Sequence, residues 1–218
     1  MSFTELTAVL ERVSAERGGV LGVLPGLVME PDETWTPVAE LVRAPYTLLG
    51  ELVDQTADRW GAPRHVGGAL FWKTFGYWHT VPMALGWALG RQVPIMRLAD
   101  TYFKVSEAGV TLGASAVSVG SGADDIRQAL LEGQEPVLGA ISEMVRVGRR
   151  TLWGSTAEAF AHSMKNFVQA DFMGLLAEIG RPVDGLVELT ADGHRRRTCC
   201  LWITLPDVEA CSTCCISI

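Results

Sequence analysis

The chain has 218 residues and a formal net charge of −7, with 48% hydrophobic and 20% charged residues. This composition supports a sizeable hydrophobic core and argues against global disorder. An acidic chain also argues against general nucleic-acid binding, which requires a basic face. No linker, internal repeat or low-complexity stretch divides the sequence, so we expect a single domain over residues 1–218.

Helical periodicity dominates the first sixty residues. Phe3–Arg17 places apolar residues at helical spacing, and the glycines that follow are typical of a helix end. The predicted elements that come next are a short strand or buried loop over Val20–Met29, a helix opened by Thr36-Pro37 through capping preference, and a second helix from Tyr46 to Trp60 after a break near Pro45.

The most apolar stretch, His65–Gly90, is long enough to span a bilayer. It contains Lys73, His79 and Pro82, and a charged centre favours a buried core helix over a membrane span. We expect His79 to be a packed, hydrogen-bonded residue rather than part of a site. Met1–Arg17 lacks the basic region and apolar core of a secretory signal, so we expect a soluble, cytoplasmic protein without stable membrane insertion.

The second half mixes helices with short strands. A glycine-containing segment near residue 120 lacks the third glycine of a dinucleotide fingerprint and carries two aspartates, so no nucleotide site is predicted. The predicted elements are a hairpin of Tyr102–Val105 and Val110–Leu112 around Ser106–Gly109, a third strand over Ala114–Val119, a helix over Ile126–Val147 interrupted at Gly133–Pro136, a helix over Thr156–Ile179, and strands over Leu186–Thr190 and Arg195–Thr204 around a turn at Ala191-Asp192-Gly193. We therefore predict a mainly helical α+β fold with a small antiparallel sheet.

All five cysteines lie in the last twenty residues of the chain, and none precedes residue 199. Cysteines that serve as small core residues would be scattered, so this set indicates thiolate ligands. The spacing is C-C-x10-C-x2-C with one further cysteine appended. These residues are Cys199, Cys200, Cys211, Cys214 and Cys215.

Three chemistries use such a set of thiols. Disulfides need an oxidising compartment, and structural zinc usually takes C-x2-4-C knuckles, which the adjacent pair Cys199-Cys200 does not provide. An iron–sulfur cluster takes four thiolates at spacings that differ between families, and we favour it. The adjacent pair can share one cluster only if the backbone bends there. We expect the spacer to close the site through a strand at Leu201–Thr204, a type I turn at Pro206-Asp207 and a return over Val208–Ala210.

This spacing, preceded by the run Arg195–Arg197, resembles that of the siderophore ferric reductases, the FhuF-like family. The segment Gly148–Ser155 is similar to the Arg-x-x-Leu-Trp-Gly segment of that family. Where the family usually has proline, this chain has Cys215, which is either a bystander thiol or an alternative fourth ligand. The resemblance implies one FhuF-like domain with a cluster-binding segment at residues 195–218, and a [2Fe-2S] cluster on Cys199, Cys200, Cys211 and Cys214.

The resemblance also implies an oxidoreductase that reduces a ferric siderophore by one electron, with hydroxamate complexes favoured, and has no catalytic residue beyond the cluster. The chain has no convincing flavin or nicotinamide motif, so electrons would come from a partner such as a ferredoxin or flavin reductase. Arg195, Arg196 and Arg197 form either a solvated strand face paired with acidic residues or a docking surface for that partner or an anionic substrate. An iron–sulfur electron-transfer or sensor protein without a siderophore substrate, and a structural zinc protein, remain open as alternatives.

Overall fold

The computed structural model describes residues 3–17, 19–106, 109–191 and 193–216, and it combines helices with small sheets. The helices are α1 (Thr4–Glu16), α2 (Thr47–Arg59), α3 (Arg64–Gly90), α4 (Ala123–Ala129), α5 (Glu135–Val145), α6 (Arg149–Ser163) and α7 (Phe172–Ile179). The strands are β1 (Val23–Val28), β2 (Thr36–Pro37), β3 (Val93–Ile95), β4 (Thr101–Ser106), β5 (Gly109–Ala114), β6 (Ser118–Gly120), β7 (Val187–Thr190) and β8 (Gly193–Arg196). This architecture confirms the predicted α+β class.

Helix α3 forms the centre of the fold, and α2 and α6 make its largest helix contacts. Buried residues of α3 lie on nearly every face of the helix, which is typical of a helix in a protein core. The core helix predicted for this stretch is therefore confirmed. Within the described ranges, no helix is both long and apolar enough to cross a membrane.

The main sheet has the strand order β1-β5-β4-β2. It is mixed, because β1 runs parallel to β5 while the other pairs are antiparallel. The predicted β4–β5 hairpin is confirmed, with register from Thr101↔Ala114 to Ser106↔Gly109. Glu107 and Ala108 of its predicted turn lie outside the described residues. The predicted third strand is shorter than expected and belongs elsewhere, since β6 pairs with β3 in a separate ladder.

Helix boundaries differ from prediction where tertiary contacts override local preference. Thr36-Pro37 pairs with β4 as a short strand and is followed by a 3-10 turn, so these residues do not begin an α-helix. The predicted interruption near Gly133 is a π-helical segment that keeps the chain helical. The single helix predicted over Thr156–Ile179 is wrong. Helix α6 begins earlier and runs into a π segment, and α7 starts anew at Asp171, whose carboxylate accepts a hydrogen bond from the Gly174 amide.

The C-terminal hairpin β7–β8 is confirmed, although Asp192 of its predicted turn lies outside the described residues. The strand predicted to continue through Thr204 is wrong, because β8 ends at Arg196. The Arg196 amide donates to the Thr213 carbonyl at 3.0 Å, and the Arg197 amide donates to the Leu186 carbonyl at 2.8 Å. These bonds hold the end of β8 between two other segments, and the chain then bends toward its first cysteine pair.

Candidate metal centre and adjoining cleft

None of the five cysteines, all of which lie in the described ranges, forms a disulfide. Cys200 and Cys214 are buried, each with 4% of its surface exposed, and the other three are half-buried. The Arg196–Thr213 backbone bond lays the second cysteine group beside the strand that leads to the first. The Cys214 amide donates to the Cys211 carbonyl at 2.9 Å, which forms a tight turn over the C-x2-C unit.

The spacer between the two groups closes in a different way from the predicted strand and return. Residues Trp202–Thr204 form a 3-10 turn, and the Trp202 indole N–H donates to the Glu209 carbonyl at 3.1 Å. Pro206-Asp207 does form a turn, but Asp207 has a φ of 54°, which a type I turn does not contain. The spacer is thus tied by a side chain rather than by a strand ladder.

Thiol groups from the two ends of the segment are close neighbours. Burial raises the pKa of Cys211, and the hydrogen-bonded Cys200 thiol and nearby Cys214 raise it further, although Lys73 acts in the opposite direction. Burial also raises the pKa of Cys215, with added effects of Cys199 and Cys214. Thiolates gathered this closely repel one another, and a bound metal cation would relieve that repulsion.

Several donors point at the sulfur atoms. The Leu201 amide donates to Cys199 Sγ at 3.3 Å, and the Ile216 amide donates to Cys214 Sγ at 3.4 Å. Leu201 adopts a left-handed backbone conformation, with φ 65°, that helps to place its amide next to this sulfur. Hydrogen bonds to sulfur orient thiolate ligands and adjust the potential of iron–sulfur centres.

The environment of Arg196 also fits a negatively charged group at the thiols. Its side chain is 1% exposed and donates to Ser155 Oγ at 2.8 Å. Its Nε and Nη1 atoms have no hydrogen-bond partner among the residues that the structure describes. The guanidinium acts on Cys215 by lowering the pKa of that thiol. A buried cation is costly unless negative charge lies near it; the Glu158 carboxylate supplies such charge here, and a thiolate-bound metal group would add to it.

Across the described ranges, no group of three or more His, Cys, Asp and Glu side chains converges on a single-ion position. A binuclear iron–sulfur cluster takes two thiolates at each iron, and the hydrogen bond between the Cys200 and Cys211 thiols brings together one cysteine from each end of the segment. The donor set, the amide donors and the buried guanidinium therefore fit such a cluster.

The Gly148–Ser155 segment, which resembles a Trp-Gly segment of the FhuF-like family, packs against the residues before the first cysteine. A Cβ atom added to Gly154 would lie 1.7 Å from Thr198 Oγ1, so only glycine fits there without displacement. The neighbouring Ser155 accepts the hydrogen bond from Arg196. The start of α6 thus supports the backbone that delivers Cys199 and Cys200, a contact that sequence reasoning did not predict.

The arginine run alternates as a strand requires. Arg195 Nη2 lies 2.6 Å from Glu188 Oε1, and Arg197 Nε lies 2.8 Å from Glu188 Oε2. These two bonds, with Arg195 contributing most, lower the pKa of Glu188. The solvated ion-paired interpretation fits Arg195 and Arg197, whose side chains are about half exposed. The docking role predicted for Arg196 does not fit its buried position.

A cleft of about 700 Å³ opens beside the cysteine segment. Helices α2, α3 and α6, the end of the β4–β5 hairpin and the cysteine segment form its walls, and Cys211 lines it. Lys73 projects from α3 toward both features, since its Nζ is 3.9 Å from Cys200 Sγ and 5.6 Å from the centre of the Trp202 ring. Trp202 contacts a small apolar cluster and also forms part of the cleft wall.

Titratable groups line the inner wall of this cleft. The Tyr77 hydroxyl lies 2.9 Å from His162 Nδ1. Burial lowers the pKa of His162, and the Glu158 carboxylate only partly opposes this effect. Burial would raise the pKa of Glu158, but the hydrogen-bonding His194 side chain and the positive charges of Arg196 and Lys73 outweigh it, so that the pKa lies below its usual value. At neutral pH the wall therefore presents a carboxylate and a neutral imidazole.

Sequence reasoning missed the residues of this cleft because its walls come from segments that are far apart in the chain. One local signal was present, since Lys73 is a charged residue in a largely apolar helix. A charged side chain in such a helix is a candidate for function when it reaches a cavity.

Comparison of the sequence with models of known protein families finds no match. Comparison with curated proteins finds no match either. The functional interpretation therefore depends on the residues and their arrangement, and the FhuF-like resemblance stays a prediction.

Proposed function

We propose that this protein is a [2Fe-2S] ferric-siderophore reductase that reduces the bound ferric ion by one electron and releases ferrous iron in the cytoplasm. The observation that carries the proposal is that Cys211 belongs both to the thiol group and to the wall of the cleft. The cysteine spacing and the Trp-Gly segment, which resemble the FhuF-like family, support it independently.

Cys199, Cys200, Cys211 and Cys214 would hold the cluster, with Cys215 as the alternative to Cys214. When bound, a [2Fe-2S] cluster supplies one-electron transfer at a potential that its surroundings adjust. The amides of Leu201 and Ile216 orient two of the sulfur atoms. Arg196 compensates negative charge from the buried side, and Lys73 does so from the side of the cleft.

The cleft would hold the substrate next to Cys211. Ferric iron is a hard, highly charged cation held by the oxygen atoms of its chelator, and ferrous iron binds the same oxygen atoms more weakly. Trp60 and Trp202 meet edge to face, with ring centroids 4.9 Å apart, and form an aromatic wall at this end of the cleft. An external electron donor, such as a ferredoxin or flavin reductase, completes the proposed reaction.

The test is an anaerobic single-turnover reaction. The dithionite-reduced protein, freed of excess dithionite, is mixed with a ferric hydroxamate chelate and a ferrous-specific trap. We expect the absorption of the oxidised protein to return while an equivalent amount of trapped ferrous iron forms. Protein whose thiols have been alkylated after iron removal is the control, and it should give no trapped iron.

If the reduced protein stays reduced with hydroxamate, catecholate and citrate-type chelates, the reductase proposal is wrong. Reversible reduction of the protein without any chelate turnover would instead identify an iron–sulfur electron-transfer or sensor protein. Colourless protein with bound zinc would identify the structural zinc alternative.

A further inference from the structure

The described side chains that line the cleft include more cations than carboxylates, although the chain as a whole is acidic. Among its described lining residues are three cations, Arg17, Arg59 and Lys73, against one carboxylate, Glu158. Within the part of the chain that the structure describes, none of these cations forms a salt bridge. The whole chain carries a formal net charge of −7, so the described lining of the cleft has the opposite sign of charge to the chain as a whole. Cations gathered in a concave, partly apolar site focus their field and attract anionic ligands.

Aromatic rings accompany these cations. The Arg17 guanidinium carbon lies 5.5 Å from the centre of the Trp78 ring, and Lys73 Nζ lies 5.6 Å from the centre of the Trp202 ring. Trp60 extends the aromatic surface at the Trp202 end and is 40% exposed. Trp78 is buried, so the exposed ring surface lies at the Trp60 and Trp202 end. Ring surface beside cations that form no salt bridge favours a ligand that carries both negative charge and flat rings.

The space available suits a large ligand. A second cavity of about 580 Å³ shares Arg17, Thr74 and Trp78 with the first, so the two adjoin along the same side of α3. Sites for small molecules commonly enclose about 300–1,000 Å³. The groove extends from Cys211 at one end to Leu21 and Gly22 at the other.

We infer that this groove binds polyanionic metal chelates with aryl-oxygen donors, such as tris-catecholate complexes, in preference to neutral chelates of similar size. The inference rests on the proposed function for the identity of the ligand as a metal chelate. It differs from the hydroxamate preference that the family resemblance implies. Arg17 and Arg59 supply the charge attraction, and the tryptophan rings contact the aryl groups of the ligand.

The test measures binding without electron transfer. Gallium(III) has the same charge as ferric iron and is not reduced under these conditions, so its complexes report binding alone. The purified holoprotein is titrated with a gallium tris-catecholate, of charge −3, and with a neutral gallium tris-hydroxamate, and tryptophan fluorescence is followed. We expect the anionic complex to bind at least about tenfold more tightly, and the difference to shrink at high salt because screening weakens the attraction.

Matched variants locate the effect. Arg17→Gln and Arg59→Gln combined should remove most of the preference, and Lys73 is left intact because it contacts Cys200. Arg43→Gln is the control, since Arg43 is an exposed residue paired with Glu40 and does not line the groove. Equal binding of the two complexes, tighter binding of the neutral one, or an equal loss in the Arg43 variant would overturn the inference.

The two proposals fail in different ways. A preference for the anionic gallium complex without any ferric-chelate reduction would contradict the proposed function and leave this inference standing. Reduction of ferric chelates without the gallium preference would contradict this inference alone.

Discussion

Gly154 and Thr198 are in direct contact, and a Cβ atom on Gly154 would fall 1.7 Å from Thr198 Oγ1. Gly154 lies in α6, and Thr198 directly precedes the first cysteine pair. The adjacent hydrogen bond from Arg196 to Ser155 joins the same two segments. This contact therefore links a helix of the protein core to the position of Cys199 and Cys200.

Gly154→Ala should displace the residues around Thr198 and weaken the metal centre. Forcing an extra methyl group into a packed site typically costs about 1–3 kcal/mol. We expect a lower melting temperature and less bound iron per chain. Gly26→Ala is the control, because nothing lies within 4 Å of a Cβ atom at that position.

A second substitution tests the cause of that effect. Thr198→Ala removes the hydroxyl that the new methyl group would meet, so it should restore part of the lost iron and stability in the Gly154→Ala background. Additive losses in the double variant would show that the two residues act independently, contrary to the contact described here.

The purified protein should hold about two irons and two acid-labile sulfides per chain, as one binuclear cluster requires. Single replacement of Cys199, Cys200 or Cys211 by serine should abolish or strongly reduce iron binding, since each thiolate supplies one of four bonds. Iron and sulfide analysis with visible absorption provides the measurement. Stoichiometric zinc in place of iron would contradict the prediction.

The two adjacent cysteines near the end of the segment should differ. Cys214 is buried and its sulfur accepts the Ile216 amide, whereas Cys215 is half-buried. We therefore expect Cys214→Ser to lose iron and Cys215→Ser to keep it. The opposite result would assign the fourth ligand to Cys215.

The periodicity of apolar residues along the sequence predicted helices α1 and α3. The apolar stretch of α3 and the amphipathic pattern of α1 are visible without tertiary knowledge. The end of β8 at Arg196 was not predictable in the same way, because it depends on the partner amides and carbonyls of distant segments. A run of arginines in a sequence indicates polar surface, and only the alternation of side chains along the strand places Arg196 in the protein interior.

In the candidate site, too, one part was predictable from the sequence and another was not. The thiols could be found because they concentrate in one short segment, and chemistry restricts what such a set binds. The cleft could not be predicted, because its lining comes from helices, a hairpin and the cysteine segment, which are far apart in the sequence. Lys73 connects the two features, with one ammonium group near both Cys200 and Trp202.

Lys73→Met should lower the midpoint reduction potential of the proposed cluster. Lys73 Nζ lies 3.9 Å from Cys200 Sγ, and its positive charge favours the more negative, reduced state. We expect a decrease on the order of tens of millivolts, where about 59 mV corresponds to a tenfold change in a one-electron equilibrium. Potentiometric titration provides the measurement. Lys104→Met, at a site where the ammonium instead contacts Trp35, should leave the potential unchanged, and an equal shift in both variants would contradict a local effect of Lys73.

His79 should make the fold sensitive to acid. Burial lowers the pKa of His79 to about 4, although the hydrogen bond to the Met96 carbonyl partly opposes this, and the Gln134 amide nitrogen lies 3.2 Å from the ring Nδ1. The unfolded chain has an ordinary histidine pKa near 6.5, so between about pH 6.5 and pH 4 it binds a proton that the folded protein does not. Stability contributed by the neutral ring is therefore present above pH 6.5 and is lost as the pH falls toward 4.

Because of His79, we expect the free energy of unfolding to fall by about 2 kcal/mol as the pH is lowered from 7 to 5. His79→Gln should be less stable than the wild type at pH 7, because it disturbs a buried hydrogen-bonded site, but its stability should fall less steeply with acid. Urea unfolding at both pH values measures the two slopes. His65→Gln is the matched control, since His65 is an exposed residue of the same helix, and it should keep the wild-type slope. If His79→Gln and the wild type lose the same free energy between pH 7 and pH 5, the buried neutral ring is not a source of the acid sensitivity.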